Sequence, residues 1–183
     1  MGLSKTIWTN PTEYLRAQSP ENPVLFFAPA AVQSVARRFL DGFPGLVTYA
    51  VKSNPGEEMI DNLISAGVKG FDCASPFEIA LIRRLAPDAA IHYHNPVRSR
   101  TEIAFAVAQN VISYSVDSKS ELAKLIDMVP AHLNGHRVEI SVRFKLPVAA
   151  RFPSVSKSNP ASWASKFNTR FAAQTSKAII SWA

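Results

Sequence analysis

The chain has 183 residues, of which 47% are hydrophobic and 19% charged, a composition typical of a globular protein with one sizeable core. No apolar stretch approaches the roughly 20 residues of a membrane-spanning helix, and residues 1–16 lack the basic and apolar blocks of a signal peptide. The single cysteine, Cys73, excludes an internal disulfide, so we expect a reducing, cytoplasmic setting.

The net charge of +6 arises almost entirely from one end of the chain. Residues 1–150 carry 15 Lys and Arg against 14 Asp and Glu, whereas residues 151–183 carry five basic residues, no acidic residue and seven serines. Neither part shows the ordered basic and aromatic pattern of a nucleic-acid reader, so we expect neither nucleic acid nor a membrane as partner. We interpret 1–23 as an extended N-terminal segment, 24–150 as the folded domain and 151–183 as a divergent tail.

From residue 24 onward, the hydrophobic pattern alternates between strands and helices. The first pair is a short strand, Val24–Phe27, followed by a helix over Pro29–Leu40 with one apolar face. The later predicted strands are Leu46–Val51, Val68–Cys73, Ala90–His94, Val111–Val116 and Val138–Phe144. The helices between them are predicted over Glu57–Ala66, closed by Gly67, and over Pro76–Leu85, Arg100–Gln109 and Lys119–Met128.

The spacing of these units indicates an α/β fold with a parallel sheet. The first four of the later strands are centred near Tyr49, Phe71, Tyr93 and Ser113, in steps of 22, 22 and 20 residues. Such short strand–helix units predict parallel strands joined by right-handed crossovers. The constant period favours a (β/α) barrel over a doubly wound sheet, although the pattern alone allows both. A complete barrel needs eight units, so five strands would form only part of one.

Lys52 follows the apolar strand 46–51 and is the first candidate for chemistry. An unpaired buried ammonium group is costly, whereas a buried lysine is suitable where a neutral amine must form a Schiff base. A solvated loop lysine is the alternative interpretation. Because the working groups of barrel enzymes lie at the carboxyl ends of the strands, Asp72 and Arg143 are further candidates.

Four motifs occur in one order along the chain. They are YAVKSNP at 49–55, FDCAS with a following Glu-Ile at 71–79, HNPVR at 94–98, and VDSKSELAK at 116–124. Together they resemble the ornithine/diaminopimelate/arginine decarboxylase family of fold-type III pyridoxal-phosphate enzymes, whose third motif reads ANPxK, and ornithine decarboxylases are the most similar in sequence. The resemblance implies the N-terminal part of an alanine racemase-like (β/α)8 TIM barrel, with about five of its eight strands.

The resemblance also implies a cofactor, a set of site residues and an activity. Lys52 would be the catalytic residue that binds pyridoxal 5′-phosphate as a Schiff base, and Asp72, Arg143, Ala50 and Glu78 would contribute to cofactor binding. Glu78 has an equally good structural interpretation, as an acidic residue in the first turn of a helix. The implied activity is decarboxylation of a basic amino acid such as ornithine, in polyamine biosynthesis, by a homodimer.

Three interpretations of the function stay open. The first is a decarboxylase present as an N-terminal fragment, the second a non-catalytic homologue that binds the cofactor or a partner, and the third a racemase-type enzyme. The FDCAS and NP segments favour the decarboxylase. The family's phosphate-binding loop, its ring-nitrogen acid and its substrate-binding residues lie further downstream and have no counterpart here, so we expect this chain alone to be weak or inactive.

Other reactive side chains have structural explanations. His92 and His94 alternate on one strand and could ligate a metal, but no third ligand accompanies them, so we predict a packed or hydrogen-bonded pair and no metal site. Cys73 on a buried strand is predicted to fill apolar space rather than act as a nucleophile. His132 and His136 flank an Asn-Gly turn and are expected to be solvated.

Overall fold

The computed structural model describes residues 7–143, and the predictions that concern 144–183, including the serine-rich tail, lie outside the described residues. The helices are α1 (Pro11–Gln18), α2 (Pro29–Gly42), α3 (Glu57–Ala66), α4 (Pro76–Leu85), α5 (Arg100–Ala108) and α6 (Lys119–Met128). The strands are β1 (Thr48–Ala50), β2 (Gly70–Cys73), β3 (Ala90–Tyr93), β4 (Ser113–Val116), β5 (His132–Leu133), β6 (His136–Arg137) and β7 (Glu139–Val142). Among 7–143, no helix combines the length and apolarity needed to cross a bilayer.

Five parallel strands form the main sheet, in the order β1-β2-β3-β4-β7. This arrangement confirms the predicted α/β fold and its five later strands. Within 7–143 the sheet does not close into a barrel, and β1 and β7 form its two edges. The short β5–β6 hairpin turns through Asn134 and Gly135, both at positive φ, and exposes His132 and His136 as expected.

The two faces of the sheet differ in chemistry. One face is apolar and packs against the helices; its buried side chains are those of Phe71, Cys73, Ile91, Tyr93, Tyr114 and Val116. The opposite face alternates with it and carries Asp72, His92, Ser113 and Ser115. Parallel strands are usually apolar on both faces because helices cover them. A polar face therefore indicates that these positions serve something other than packing.

Local capping explains why several helices begin where the sequence predicts. The serines 75, 99 and 118 precede α4, α5 and α6, and each accepts a hydrogen bond from the backbone N–H three residues ahead. Gly67 ends α3 at φ 104°, a left-handed conformation that favours glycine. The predicted bounds of α3, α4 and α6 are all confirmed.

The N-terminal region departs from its sequence-based description. The predicted strand Val24–Phe27 is wrong: these residues form no strand, and the Leu25 side chain is almost fully exposed. A strand needs a partner, and β1 hydrogen-bonds only to β2 among the described residues. The segment expected to be extended contains α1, which begins because Asn10 caps it and Pro11 starts its first turn.

Candidate active site

The candidate site residues lie at the carboxyl edge of the parallel sheet, as a barrel-type site requires. Ala50 lies opposite Asp72 in the register between β1 and β2, and Asp72 lies opposite His92 between β2 and β3. Lys52 follows β1 and Arg143 follows β7, where its backbone N–H donates to the Val116 carbonyl at 2.7 Å. The topology thus brings Ala50 and Asp72 side by side. It also places Lys52 and Arg143 at the carboxyl end of the sheet, after its first and last strands.

Lys52 lies in a single 3-10 turn, Val51–Ser53, immediately after β1. Its side chain is exposed, as the alternative interpretation of a solvated loop lysine expects, while its neighbour Val51 is fully buried. The physical reason is that β1 is an edge strand, so no described strand covers its outer side. An exposed amine at this position is accessible to a carbonyl compound from solvent.

The Asp72 carboxylate contacts the imidazole of His94, the residue that follows the neighbouring strand β3. His94 Nδ1 lies 3.1 Å from Asp72 Oδ1, and the two side chains are 31% and 34% exposed. Two residues before His94, His92 Nδ1 lies 2.9 Å from Ser113 Oγ. The two imidazole rings are 5.4 Å apart, so the histidines form a packed pair, one of the two arrangements predicted. No group of three metal-ligating side chains converges within the described part of the chain.

His92 is the most desolvated titratable group on this polar face. Burial is the main cause that lowers the pKa of His92, and the neighbouring His94 lowers it further, while the carboxyl groups of Asp72 and Glu139 oppose both effects. We therefore expect a neutral imidazole at pH 7. Its Nε2 is buried and has no hydrogen-bond partner in the described structure. A buried polar atom of this kind is suited to a polar ligand or an ordered water.

Glu78 makes local contacts at the start of α4. Its Oε2 accepts a hydrogen bond from the Ala74 N–H at 2.7 Å, and its own N–H donates to Ser75 Oγ. These contacts match its structural interpretation as a first-turn acid.

Asn95 connects the loops that follow β2 and β3 at the carboxyl end of the sheet. Its Nδ2 donates to the Ala74 carbonyl at 3.2 Å.

Arg98 is a buried residue that the sequence interpretation did not single out. Its guanidinium donates to the carbonyls of Tyr93 at 3.1 Å and Ser115 at 2.5 Å, which belong to neighbouring strands. It also lies over the rings of Tyr93 and Tyr114, 5.3 and 5.7 Å from their centroids. The basic position of the HNPVR motif was the available signal, because it aligns with the lysine of ANPxK.

Two charged side chains from α6 complete this buried cluster. Glu121 Oε2 lies 4.0 Å from Arg98 Nη2, and Lys124 Nζ lies 2.5 Å from both Glu121 Oε1 and the Arg98 carbonyl. Burial lowers the pKa of Arg98, and the Glu121 carboxylate counteracts that effect. The cluster fixes the loop after β3 against β4 and α6, and so supports the edge that carries His94.

An apolar cleft of about 520 Å³ lies away from this edge, between α2, β1 and α3. Its lining includes Val35, Phe39 and Met59, and it contains no charged side chain. The convergence of polar groups, rather than the volume of this cleft, therefore defines the candidate active site.

Fold and site together define a pyridoxal-binding (β/α) domain. The family model described as "Pyridoxal-dependent decarboxylase, pyridoxal binding domain" matches residues 30–180, so the chain belongs to that family. The matched range extends into residues beyond 143, which the structure does not describe.

The relatives are decarboxylases and their homologues. The chain is 37% identical over 90 residues to ornithine decarboxylase of Mus pahari, a match that covers 48% of this chain and 19% of that protein. It is 36% identical over 91 residues to antizyme inhibitor 2 of Xenopus laevis, with 48% and 20% covered. The solved ornithine decarboxylase of Entamoeba histolytica superposes with a TM-score of 0.60 at 26% identity, covering 73% of this chain and 41% of that one. The chain thus spans about a fifth of the length of the curated relatives it matches.

The described residues fit pyridoxal phosphate at its reactive end. The exposed Lys52 amine is accessible to an aldehyde. The polar face of the sheet, which carries Asp72 and His92, can form polar contacts with the oxygen and nitrogen atoms of a pyridine derivative. The orphaned Nε2 of His92 belongs to that face. Lys52, Asp72, Ala50, Glu78 and Arg143 remain predictions as cofactor ligands.

Proposed function

We propose that this chain is the cofactor-binding part of a decarboxylase for a basic amino acid, with Lys52 as the residue that binds pyridoxal phosphate covalently. The observation that carries the proposal is the placement of Lys52, in the YAVKSNP motif, at the same sheet edge as the Asp72–His94 pair. Membership in the pyridoxal-dependent decarboxylase family supports it.

Each proposed residue has a role that follows from its chemistry. Lys52 Nζ would hold the cofactor through its aldehyde carbon, and the free amine would be available to take up a proton. Asp72 holds a negative charge beside the cofactor, Arg143 holds a positive one, and the small side chain of Ala50 leaves room next to Asp72. Pyridoxal phosphate, when bound, supplies the electron sink for the carbanion that remains after carbon dioxide departs.

Ornithine is the proposed substrate, and polyamine biosynthesis in the cytoplasm by a homodimer is the proposed setting. The names of relatives such as ornithine decarboxylase of Mus pahari support this choice. Lysine and arginine are the alternative substrates.

Borohydride trapping tests the role of Lys52. The full chain is incubated with pyridoxal phosphate, reduced with borohydride, digested and mapped by mass spectrometry. We expect the pyridoxyl label predominantly on Lys52, and loss of that label in Lys52→Ala. Lys69→Ala is the matched control, because Lys69 is an exposed lysine in the loop before β2 and should not affect labelling at position 52. A label on Lys69 or Lys145 in place of Lys52 would overturn the assignment.

A non-catalytic homologue is the second candidate function. The similarity to antizyme inhibitor 2 of Xenopus laevis favours it, since that relative carries the name of an inhibitor rather than an enzyme. Release of labelled carbon dioxide from carboxyl-labelled ornithine above that of Lys52→Ala would support the decarboxylase and exclude the non-catalytic homologue.

A further inference from the structure

We propose that His94 is a positioning residue that holds the Asp72 carboxylate ready for the cofactor. The inference rests on the proposed function and adds a residue that the family's motif does not supply. At this position the family's ANPxK segment has alanine, which has no polar atom in its side chain. This chain has histidine there, and the imidazole contacts the site carboxylate directly.

The backbone of His94 is fixed from both sides. Its N–H donates to the Cys73 carbonyl of β2 at 3.1 Å, and its carbonyl accepts from Ser115 Oγ of β4 at 2.8 Å. The ring position is therefore set by two neighbouring strands rather than by a free loop. This anchoring distinguishes His94 from a surface histidine that meets a carboxylate by chance.

The distance and the exposure of the Asp72–His94 pair also support a positioning role for His94. The contact of 3.1 Å joins Nδ1 to Oδ1 on the polar face, while each side chain remains about one-third exposed. By contrast, the pairs Glu57–Arg84 and Arg100–Asp127 are more than half exposed, and exposed pairs of that kind contribute little. The Asp72–His94 pair is sheltered enough to be ordered and open enough to meet a ligand.

Ordering Asp72 in advance should strengthen cofactor binding. A carboxylate in contact with an anchored imidazole loses rotational freedom before the ligand arrives, so less entropy is lost on binding. The ring of His92 packs against that of His94, and the Nδ1 of His92 is hydrogen-bonded to Ser113 Oγ. His92 thereby limits the movement of the His94 ring. His94 thus acts on the cofactor through Asp72.

Titration of the full chain with pyridoxal phosphate, followed by absorbance, tests the inference without an activity assay. We expect His94→Ala and the volume-matched His94→Leu to raise Kd about tenfold, because Asp72 loses its polar contact and is then ordered only when the cofactor binds. His94→Asn places a donor near the original Nδ1 and should keep Kd within about threefold of wild type. If His94→Asn binds as weakly as His94→Leu, the inference is wrong.

A double-mutant cycle with Asp72→Ala supplies the second criterion. If His94 acts through Asp72, His94→Ala adds no more than about twofold to the Kd of Asp72→Ala, because the partner is already absent. A full tenfold effect in that background would overturn the inference. Thermal midpoints measured on all variants should agree within a few degrees, whereas a merely structural histidine would lower the midpoint and leave Kd unchanged.

The same titration separates failure of the inference from failure of the proposed function. If wild type and Lys52→Ala bind pyridoxal phosphate equally weakly, the proposed function fails and the inference fails with it. If binding depends on Lys52 and His94→Ala still matches wild type, the inference alone is overturned.

Discussion

At the scale of single residues, Arg98 shows how a buried charge is accommodated in this fold. Its guanidinium is inaccessible to solvent and relies on two carbonyls, two aromatic rings and Glu121 to offset desolvation. Glu121 is buried as well, and Lys124 provides its closest cation. Removing one member of such a cluster leaves the others desolvated without a partner, which is more costly than losing an exposed pair.

We expect Arg98→Ala to reduce the free energy of unfolding by at least about 3 kcal/mol, because two buried carbonyls lose their donor and Glu121 loses a neighbouring cation. Arg98→Lys, the family's residue, should cost less since it keeps the charge. Arg100→Ala is the control: it breaks the exposed Arg100–Asp127 pair and should cost about 0.5 kcal/mol. Urea unfolding followed by circular dichroism measures all three. Equal costs for Arg98→Ala and Arg100→Ala would contradict the buried network.

At the scale of elements, serine caps mark the starts of α4, α5 and α6. The capping box of α5 is complete: Ser99 accepts from the Glu102 N–H, and the Glu102 carboxylate accepts from the Ser99 N–H at 2.6 Å. The hydrogen bonds to Ser99 lower the pKa of Glu102. The stabilisation from the hydrogen bond between the Ser99 N–H and the Glu102 carboxylate is therefore lost only in acid, as pH falls through that lowered pKa.

Ser99→Ala should destabilise the chain by about 1 kcal/mol at pH 7, because one orphan N–H of α5 loses its acceptor. Ser65 is an exposed serine inside α3, so Ser65→Ala serves as the control and should be neutral or slightly stabilising. Urea midpoints of the two variants measure the difference. A loss as large in Ser65→Ala would show that serine removal in general, rather than the cap, is responsible.

At the scale of the whole molecule, the apolar core also contains groups that ionise in alkali. Burial raises the pKa of Cys73 to about 12 and that of Tyr93 to about 12, and it raises the pKa of Tyr114 as well. In an unfolded chain these groups ionise near pH 8.5 for cysteine and near pH 10 for tyrosine. Above those values the unfolded chain binds fewer protons than the folded one, so stability falls as pH rises.

We therefore expect the urea midpoint to be constant between pH 7 and 8, and to fall steadily from about pH 9 toward pH 12. Cys73→Ala should show a smaller decrease between pH 9 and 10, because cysteine is the first of the three to ionise in the unfolded chain. Midpoints recorded every half unit test both statements. A midpoint that stays constant through pH 11 would show that these side chains are not held neutral by burial.

The open sheet is the other property of the whole described molecule. β1 and β7 each have one unpaired side among residues 7–143, and unpaired strand edges favour association with another chain. Exposed apolar side chains beside β1, such as Phe39 and Leu46, add to that tendency.

Local signals in the sequence predicted the helices α2 to α6, the five strands of the main sheet and the family. The bounds of α3, α4 and α6 follow from apolar periodicity, serine caps and Gly67, which are local signals because each helical hydrogen bond joins residues four apart. The motifs around Lys52 and Asp72 identified the pyridoxal-binding family, because short sequence motifs can be recognised without knowledge of tertiary contacts.

Which residues contact each other and which are exposed is visible only in the three-dimensional fold. Val24–Phe27 has a strand-like pattern but finds no partner, and Lys52 is exposed because β1 is an edge. The Asp72–His94 contact joins β2 to the loop after β3, 22 positions along the chain, and the Arg98–Glu121 contact joins that loop to α6. Such contacts depend on register and packing between distant segments, and no local pattern encodes either.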